Sequence, residues 1–209
     1  MKTNSKDIAI LDYGCSNIES IMNAVEFNGY RPKLTNDLGR LSKFNKIILP
    51  GVGHFRFAMK SINELNLKKF IKLYIEQNNH LLAICLGMQL LLSKSRESNN
   101  TKGLEIFNNN VLKIKNKKNH ESYPHISFKK IFAIKKTNLL NGIKKNDYFY
   151  FIHSYYCNVI DKKKIIAKTK YNNEYFPSII NYKNCYGVQF HPEKSKLPGL
   201  KLIDNFLNM

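Results

Sequence analysis

The chain has 209 residues, 43% of them hydrophobic and 23% charged, which supplies a sizeable core and excludes a disordered or fibrous protein. Its 34 Lys+Arg against 15 Asp+Glu give a net charge of +19, yet only four of the basic residues are Arg (31, 40, 56 and 96), against 27 Asn. Base and phosphate readers favour the forked guanidinium, and the lysines are scattered through 68–69, 115–118, 129–136 and 162–164, so the charge reads as solvated faces and argues against a nucleic-acid partner.

Four cysteines at 15, 85, 157 and 185 contain no C-x-x-C pair, and a core of this size needs no staple. Neither a disulfide nor a metal is expected. No apolar run approaches the length of a membrane span, and Met1 to Lys6 lacks the apolar segment of a secretory signal, so a cytoplasmic protein with no membrane partner is expected.

In chain order, Asp7 to Asp12 is a short apolar run ending at Tyr13-Gly14, a buried strand entering a turn. Asn17 to Asn28 carries Ile18, Ile21, Met22 and Val25 at helical spacing, with Asn17 as N-cap and Gly29 as stop. Lys46 to Leu49 is a second buried strand, closed by Pro50-Gly51-Val52-Gly53. Leu67 to Gln77 is helical by periodicity; His80 to Cys85 is a third buried strand and runs into a helix from Gly87 to about Lys94. Strand alternating with helix predicts an α/β fold, an open and mostly parallel central sheet flanked by helices.

From Val111 the apolar runs shorten and alternate: Ile126 to Phe132, Tyr148 to Ile152, Ile165 to Thr169 and Ser178 to Tyr182. This C-terminal half is expected to be strand-rich and antiparallel. Tyr186 to Phe190 reads as a further strand, and about Pro198 to Leu207 as a closing helix. Asn99 to Gly103 and Lys115 to Ser122 are polar loops, and no internal repeat divides residues 1–209, which are expected to form one domain.

Cys85 stands where the strand LLAIC meets Leu86-Gly87 and a helix start, with small Ala83 and Gly87 flanking the bend. A sharp strand-to-helix turn holds a nucleophile above the carboxyl end of a sheet, and the helix N-terminus favours a thiolate. A lone cysteine more often packs as a small apolar side chain, so the elbow gains meaning only beside a base. His191 in Phe190-His191-Pro192-Glu193-Lys194-Ser195 supplies one. Pro192 excludes helical dihedrals at His191, and in extended backbone Glu193 projects to the same side as the imidazole. Cys, His and a carboxylate constitute a generalised catalytic triad, although H-P-E alone fits an ordinary surface turn. Attack on an amide develops an oxyanion; the N–H of Leu86 and one from the Gly51-Val52-Gly53 loop, Val52 foremost, are placed to bind it.

Asp12-Tyr13-Gly14 with Asn17, Leu49 to Gly53, Ile84 to Leu91, Phe151 to Tyr156 and Gly187 to Ser195 together resemble the class I, triad-type glutamine amidotransferases, and among them the glutaminase subunits of imidazole glycerol phosphate synthase. The likeness runs from about Ile8 to Leu207 in the family's order. It implies hydrolysis of L-glutamine with Cys85 as nucleophile, His191 as general base and acid, and Glu193 as its orienting carboxylate. It further implies glutamine-binding roles for Gly51, Gly53, Gln89, Glu97, Ser154 and Tyr155, and no cofactor. Gln89 and Glu97 would lie on the helix after the elbow. A (β/α)8 cyclase subunit is the implied partner in a heterodimer, met by Asn17, His125 and Lys194.

The chain departs from the family at three places. Ala83 replaces the usual Gly of the elbow, Cys15-Ser16 replaces the usual pair before Asn17, and Pro124 to Phe128 replaces P-H-M-G-W, so that Ser127 stands for Gly and Phe128 for Trp. The last removes an indole N–H from the partner-facing edge. Two alternatives follow: a related glutaminase serving amidination of a surface sugar, and an idle basic binding module on the same fold.

Overall fold

A computed structural model describes residues 6–14, 17–99, 101–115 and 124–209. Strand β1 (Asp7–Leu11) is followed by helix α1 (Ile18–Phe27), β2 (Arg31–Thr35), the single-turn α2 (Leu38–Leu41), β3 (Lys46–Leu49), α3 (Phe55–Glu64), α4 (Leu67–Glu76) and β4 (His80–Ile84). Next come α5 (Leu86–Leu90), β5 (Leu92–Ser95), β6 (Thr101–Lys102), β7 (Phe107–Lys113), β8 (His125–Lys130), β9 (Phe132–Ala133), β10 (Tyr148–His153) and β11 (Tyr155–Asn158). Strands β12 (Ile165–Tyr171), β13 (Glu174–Tyr182) and β14 (Cys185–Val188) and helix α6 (Lys196–Leu207) complete the order.

The central sheet has eight strands in the order β2-β1-β3-β4-β14-β13-β12-β9. The pairs from β2 to β14 are parallel, and those from β14 to β9 antiparallel. This is the predicted α/β arrangement with its antiparallel C-terminal extension. Successive residues of a central strand face opposite layers, so the inner strands are apolar throughout. Leu11, Ile47, Leu49 and Leu81 pack with Phe55, Ile62, Ile71 and Tyr74 of α3 and α4. Ile10, Ile48, Leu82 and Ile84 pack with Ile21, Val25, Leu202 and Phe206 of α1 and α6.

Two departures from the sequence expectation have clear causes. The helix expected from Gly87 to about Lys94 ends at Leu90, because the carbonyls of Leu90 and Leu91 accept from the amides of Leu104 (2.8 Å) and Ile106 (2.9 Å) in place of helical partners, and Leu92–Ser95 becomes a strand. Strand β2 and helix α3 were not anticipated; β2 is an edge strand, where Pro32 is tolerated, and α3 buries Phe55, Ala58, Met59 and Ile62 at helical spacing. Gly29 terminates the first helix as expected, with φ +76° and its N–H donating to Glu26 O at 2.8 Å. Most of the expected 115–122 loop, with Cys15 and Ser16, lies outside the described residues. Among the described residues no helix is long and apolar enough to cross a membrane.

Phe190 links the core to the chain segment that follows β14. It is fully buried, with its ring 4.4 Å from that of Phe149 and 5.5 Å from that of Phe151. Phe190→Ala is therefore expected to cost about 3–5 kcal/mol of stability, read as a lower urea midpoint with an unchanged m-value.

Candidate active site

Strands β4 and β14 are parallel neighbours in the register Ile84↔Val188, so the residues just past their carboxyl ends meet above the sheet. Cys85 comes directly after β4 and donates its backbone N–H to Val188 O at 2.8 Å. Its dihedrals, φ +53° and ψ −107°, lie outside the ordinary regions for an L-residue, a strain on the order of 1–3 kcal/mol that the surrounding contacts must hold. Gly87 makes those contacts possible: a Cβ there would sit 2.3 Å from Leu49 O. Gly51 closes the same joint, since its Cβ would fall 2.7 Å from Gly87 N, and Tyr13 Oη fastens the loop by donating to Pro50 O at 2.5 Å. Ala83 is accommodated in place of the family's Gly, fully buried between Leu49 and Gly187.

His191 is anchored by its N–H to Tyr150 O at 2.9 Å. Its Nδ1 lies 2.6 Å from Glu193 Oε1. The expected contact exists, but not through extended backbone: Pro192–Lys194 is a 3-10 turn, and the carboxylate returns to the ring within that turn. Ser195 Oγ locks the turn, donating to His191 O at 2.6 Å and accepting from Tyr150 N at 2.9 Å. Burial alone would lower the imidazole's pKa. The Cys85 charge and the Glu193 carboxylate outweigh it and raise the group to about 10, although Nε2 makes no hydrogen bond in this conformation.

Asn17 has a different role from the cap expected of it. Its side chain makes no cap bond; Nδ2 donates to Glu193 Oε1 at 2.9 Å, and Oδ1 accepts from Ser20 Oγ at 3.0 Å. The carboxylate oxygen that holds His191 is thus itself held by α1.

A cavity of about 290 Å³ opens over the sulfur, at the small end of ligand sites. Of the residues expected to act there, Val52, Gly53, Cys85, Leu86, Gln89, Glu97, Ser154, Tyr155 and His191 line it, joined by Pro124, Ile152 and His153. Gln89 is on α5 as expected, whereas Glu97 lies in the 3-10 turn Arg96–Ser98, beyond β5. From there Glu97 Oε2 accepts from the first amide of α3, Phe55 N, at 2.8 Å.

Two expectations need correction. The Leu86 amide, expected to be an open oxyanion donor, is directed at Gly51 O at 3.3 Å, so the hole is not free in this conformation. His125, expected to face a partner, is fully buried: it stacks on Tyr171 at 3.9 Å between ring centroids and binds His153. Strand alternation explains this, since His125 and Ser127 point inward and Ile126 and Phe128 outward. Lys194 is exposed.

Sequence reasoning assigned no role to Gln189 or His153. Gln189 is fully buried with Nε2 3.8 Å from Cys85 Sγ, and a glutamine inside the apolar run Gly187 to Phe190 was its available signal. His153 is buried and its pKa lowered to about 4, chiefly by desolvation. Among the described residues no cluster of three or more His, Cys, Asp or Glu is arranged to hold a metal.

The raised His191 value means that the folded protein binds this proton more tightly than the unfolded chain. Its contribution to stability is full below about pH 6.5 and is lost as pH rises through about 10. Cys85 is the larger favourable cause, so Cys85→Ala should lower the His191 midpoint in an NMR titration more than Glu193→Gln does; the reverse order would contradict the assigned electrostatics.

A sequence profile described as Glutamine amidotransferase class-I matches residues 9–209. The chain is 41% identical over 202 residues to the imidazole glycerol phosphate synthase subunit HisH of Caldanaerobacter subterraneus subsp. tengcongensis, covering 97% of this chain and 98% of that one. It is 43% identical to the subunit of the same name from Methanocaldococcus jannaschii, covering 97% and 99%. Among solved structures, a glutamine amidotransferase superposes with a TM-score of 0.74 at 14% identity, covering 97% of this chain and 99% of that one. PurLQS from Thermotoga maritima gives 0.73 at 18%, covering 100% and 99%.

Proposed function

Because the chain belongs to the class-I glutamine amidotransferases, and within them to the glutaminase subunits of imidazole glycerol phosphate synthase, we propose that residues 1–209 act as one domain that hydrolyses L-glutamine at Cys85 and passes the ammonia to a (β/α)8 cyclase in a cytoplasmic heterodimer. The observation that carries this reading is a single cavity lined by Cys85, His191, Gln89, Glu97 and Tyr155, with Glu193 Oε1 2.6 Å from His191 Nδ1.

In this mechanism the Cys85 thiolate attacks the side-chain amide carbon, and His191 donates a proton to the departing ammonia, leaving a thioester. His191 then takes a proton from water, which attacks the thioester and releases glutamate. Glu193, fixed by Asn17, keeps the Nδ1 proton in place so that Nε2 addresses the sulfur. The oxyanion requires donors at Leu86 and Val52. Since Gly51 O now occupies the Leu86 amide, the 50–53 loop must turn before the hole can form. A cyclase docked beside that loop is a natural source of the bias.

The surface that fits such a partner is the outer face of β8 and β10. Ile126 pairs directly with Ile152, and Phe128 with Tyr150. Three of them, Ile126, Phe128 and Ile152, are about 40–50% exposed, an apolar strip that continues to the cavity mouth at Ile152. Phe128 supplies ring area where the family's Trp would stand, and Lys196 Nζ lies 5.8 Å from its centroid. Asn17 and Lys194 remain on the partner-facing side in this proposal, while His125 supports the strip from beneath. Ammonia protonates readily in water, so a closed interface is the physical reason for a dedicated partner.

Glutamate release should rise when the cyclase and its nucleotide substrate are added, and Cys85→Ala should abolish it while leaving cyclisation from free ammonia intact. Loss of both activities in that variant would assign Cys85 a structural role. Delivery to another acceptor, such as a surface sugar, would instead appear as failure to co-purify with the cyclase.

A further inference from the structure

Beneath the apolar strip lies a set of buried and half-buried polar groups that leads to the Cys85 sulfur. Ser127 Oγ is 2.8 Å from His125 Nε2, His125 Nδ1 is 3.0 Å from His153 Nε2, and His153 Nδ1 is 2.8 Å from Tyr155 O. From the other side, Gln89 Nε2 donates to the same Tyr155 O at 2.9 Å and to Gln189 Oε1 at 3.3 Å, and Gln189 Nε2 donates to Cys85 Sγ at 3.8 Å.

We propose that Gln189 is a hydrogen-bond donor to the Cys85 sulfur, and that Gln89, held by Tyr155 O, is the positioning residue that fixes which way its amide faces. This rests on the reading of Cys85 as the nucleophile.

The polarity of every link follows from one carbonyl. Tyr155 O can only accept, so His153 Nδ1 carries a proton and Gln89 turns its NH₂, not its oxygen, toward it. The second N–H of Gln89 then meets Gln189 Oε1, which leaves the NH₂ of Gln189 for the sulfur. Gln189 is fully buried, so solvent offers no alternative partner that would let the amide reverse.

On the histidine side, His153 is neutral: burial, with His191 nearby, lowers its pKa to about 4. Its Nε2 is therefore an acceptor and takes the Nδ1 proton of His125. His125 is likewise neutral, lowered to about 3 by burial, with His153 and Lys129 adding to it. Its Nε2 must accept in turn, and the Ser127 hydroxyl donates. Gly at position 127 would leave that nitrogen without this donor, so the Gly-to-Ser departure from the family pattern completes the chain from within. A thiolate gains from each N–H aimed at it, and a fixed amide serves better than one free to rotate.

The test reads Cys85 without requiring turnover. Iodoacetamide modification is followed residue by residue by mass spectrometry across pH in the full chain. Gln189→Leu should move the Cys85 modification profile to higher pH by about one unit. Gln89→Met should move it in the same direction by less, because the Gln189 amide is then no longer held with its NH₂ toward the sulfur. An unchanged Cys85 profile in folded Gln189→Leu or Gln89→Met would overturn the proposal. Failure of the glutaminase reading would appear separately, as glutamate release that survives Cys85→Ala.

Discussion

The parallel pairing of β4 with β14 is the constraint on which the site depends. Five strands run the same way in the order β2-β1-β3-β4-β14, and β4 and β14 end level with each other. Two segments about a hundred residues apart in sequence therefore deliver a sulfur and an imidazole to one place. Neither segment could do this alone. The elbow needs Val188 O to hold the Cys85 amide and the absence of a side chain at Gly87, and the His191 turn needs β10 to hold its backbone.

Electrostatics then divides the three histidines around the cavity into two kinds. All are buried, and desolvation disfavours the charged form in each. Only His191 has acidic groups acting on it, Glu193 bonded at Nδ1 and Cys85 through its charge, and only its pKa rises. His125 and His153 face each other, a carbonyl and a hydroxyl, so they remain neutral donors and acceptors. The same burial that would cripple an isolated base allows two imidazoles to serve as rigid wiring.

Much of this was legible in the chain. Apolar runs followed by turn residues marked β1, β3, β4 and β14, and the motifs after β4 and β14 named Cys85, His191 and Glu193, because a buried strand and a sharp turn are local features. What escaped depends on contacts from distant segments. Leu90 to Leu92 continue an apolar helical pattern, but backbone from Leu104 to Phe107 claims their carbonyls. Asn17 looked like a cap because Asn caps helices; Glu193, 176 residues away, recruits it instead. His125 was assigned to the surface by its motif, whereas strand parity turned it inward and left Ile126 and Phe128 outside.

Hydrolysis at this site requires that sulfur and imidazole act as a pair. An electrophilic glutamine analogue, such as a chloroketone, offered to the protein with its cyclase would test it most directly, with the site of attachment mapped by mass spectrometry. A single adduct is expected at Cys85, largely lost in His191→Asn, while Cys157 and Cys185 stay unmodified. Labelling of Cys85 that proceeds undiminished without the imidazole, or that spreads to the other buried thiols, would contradict it.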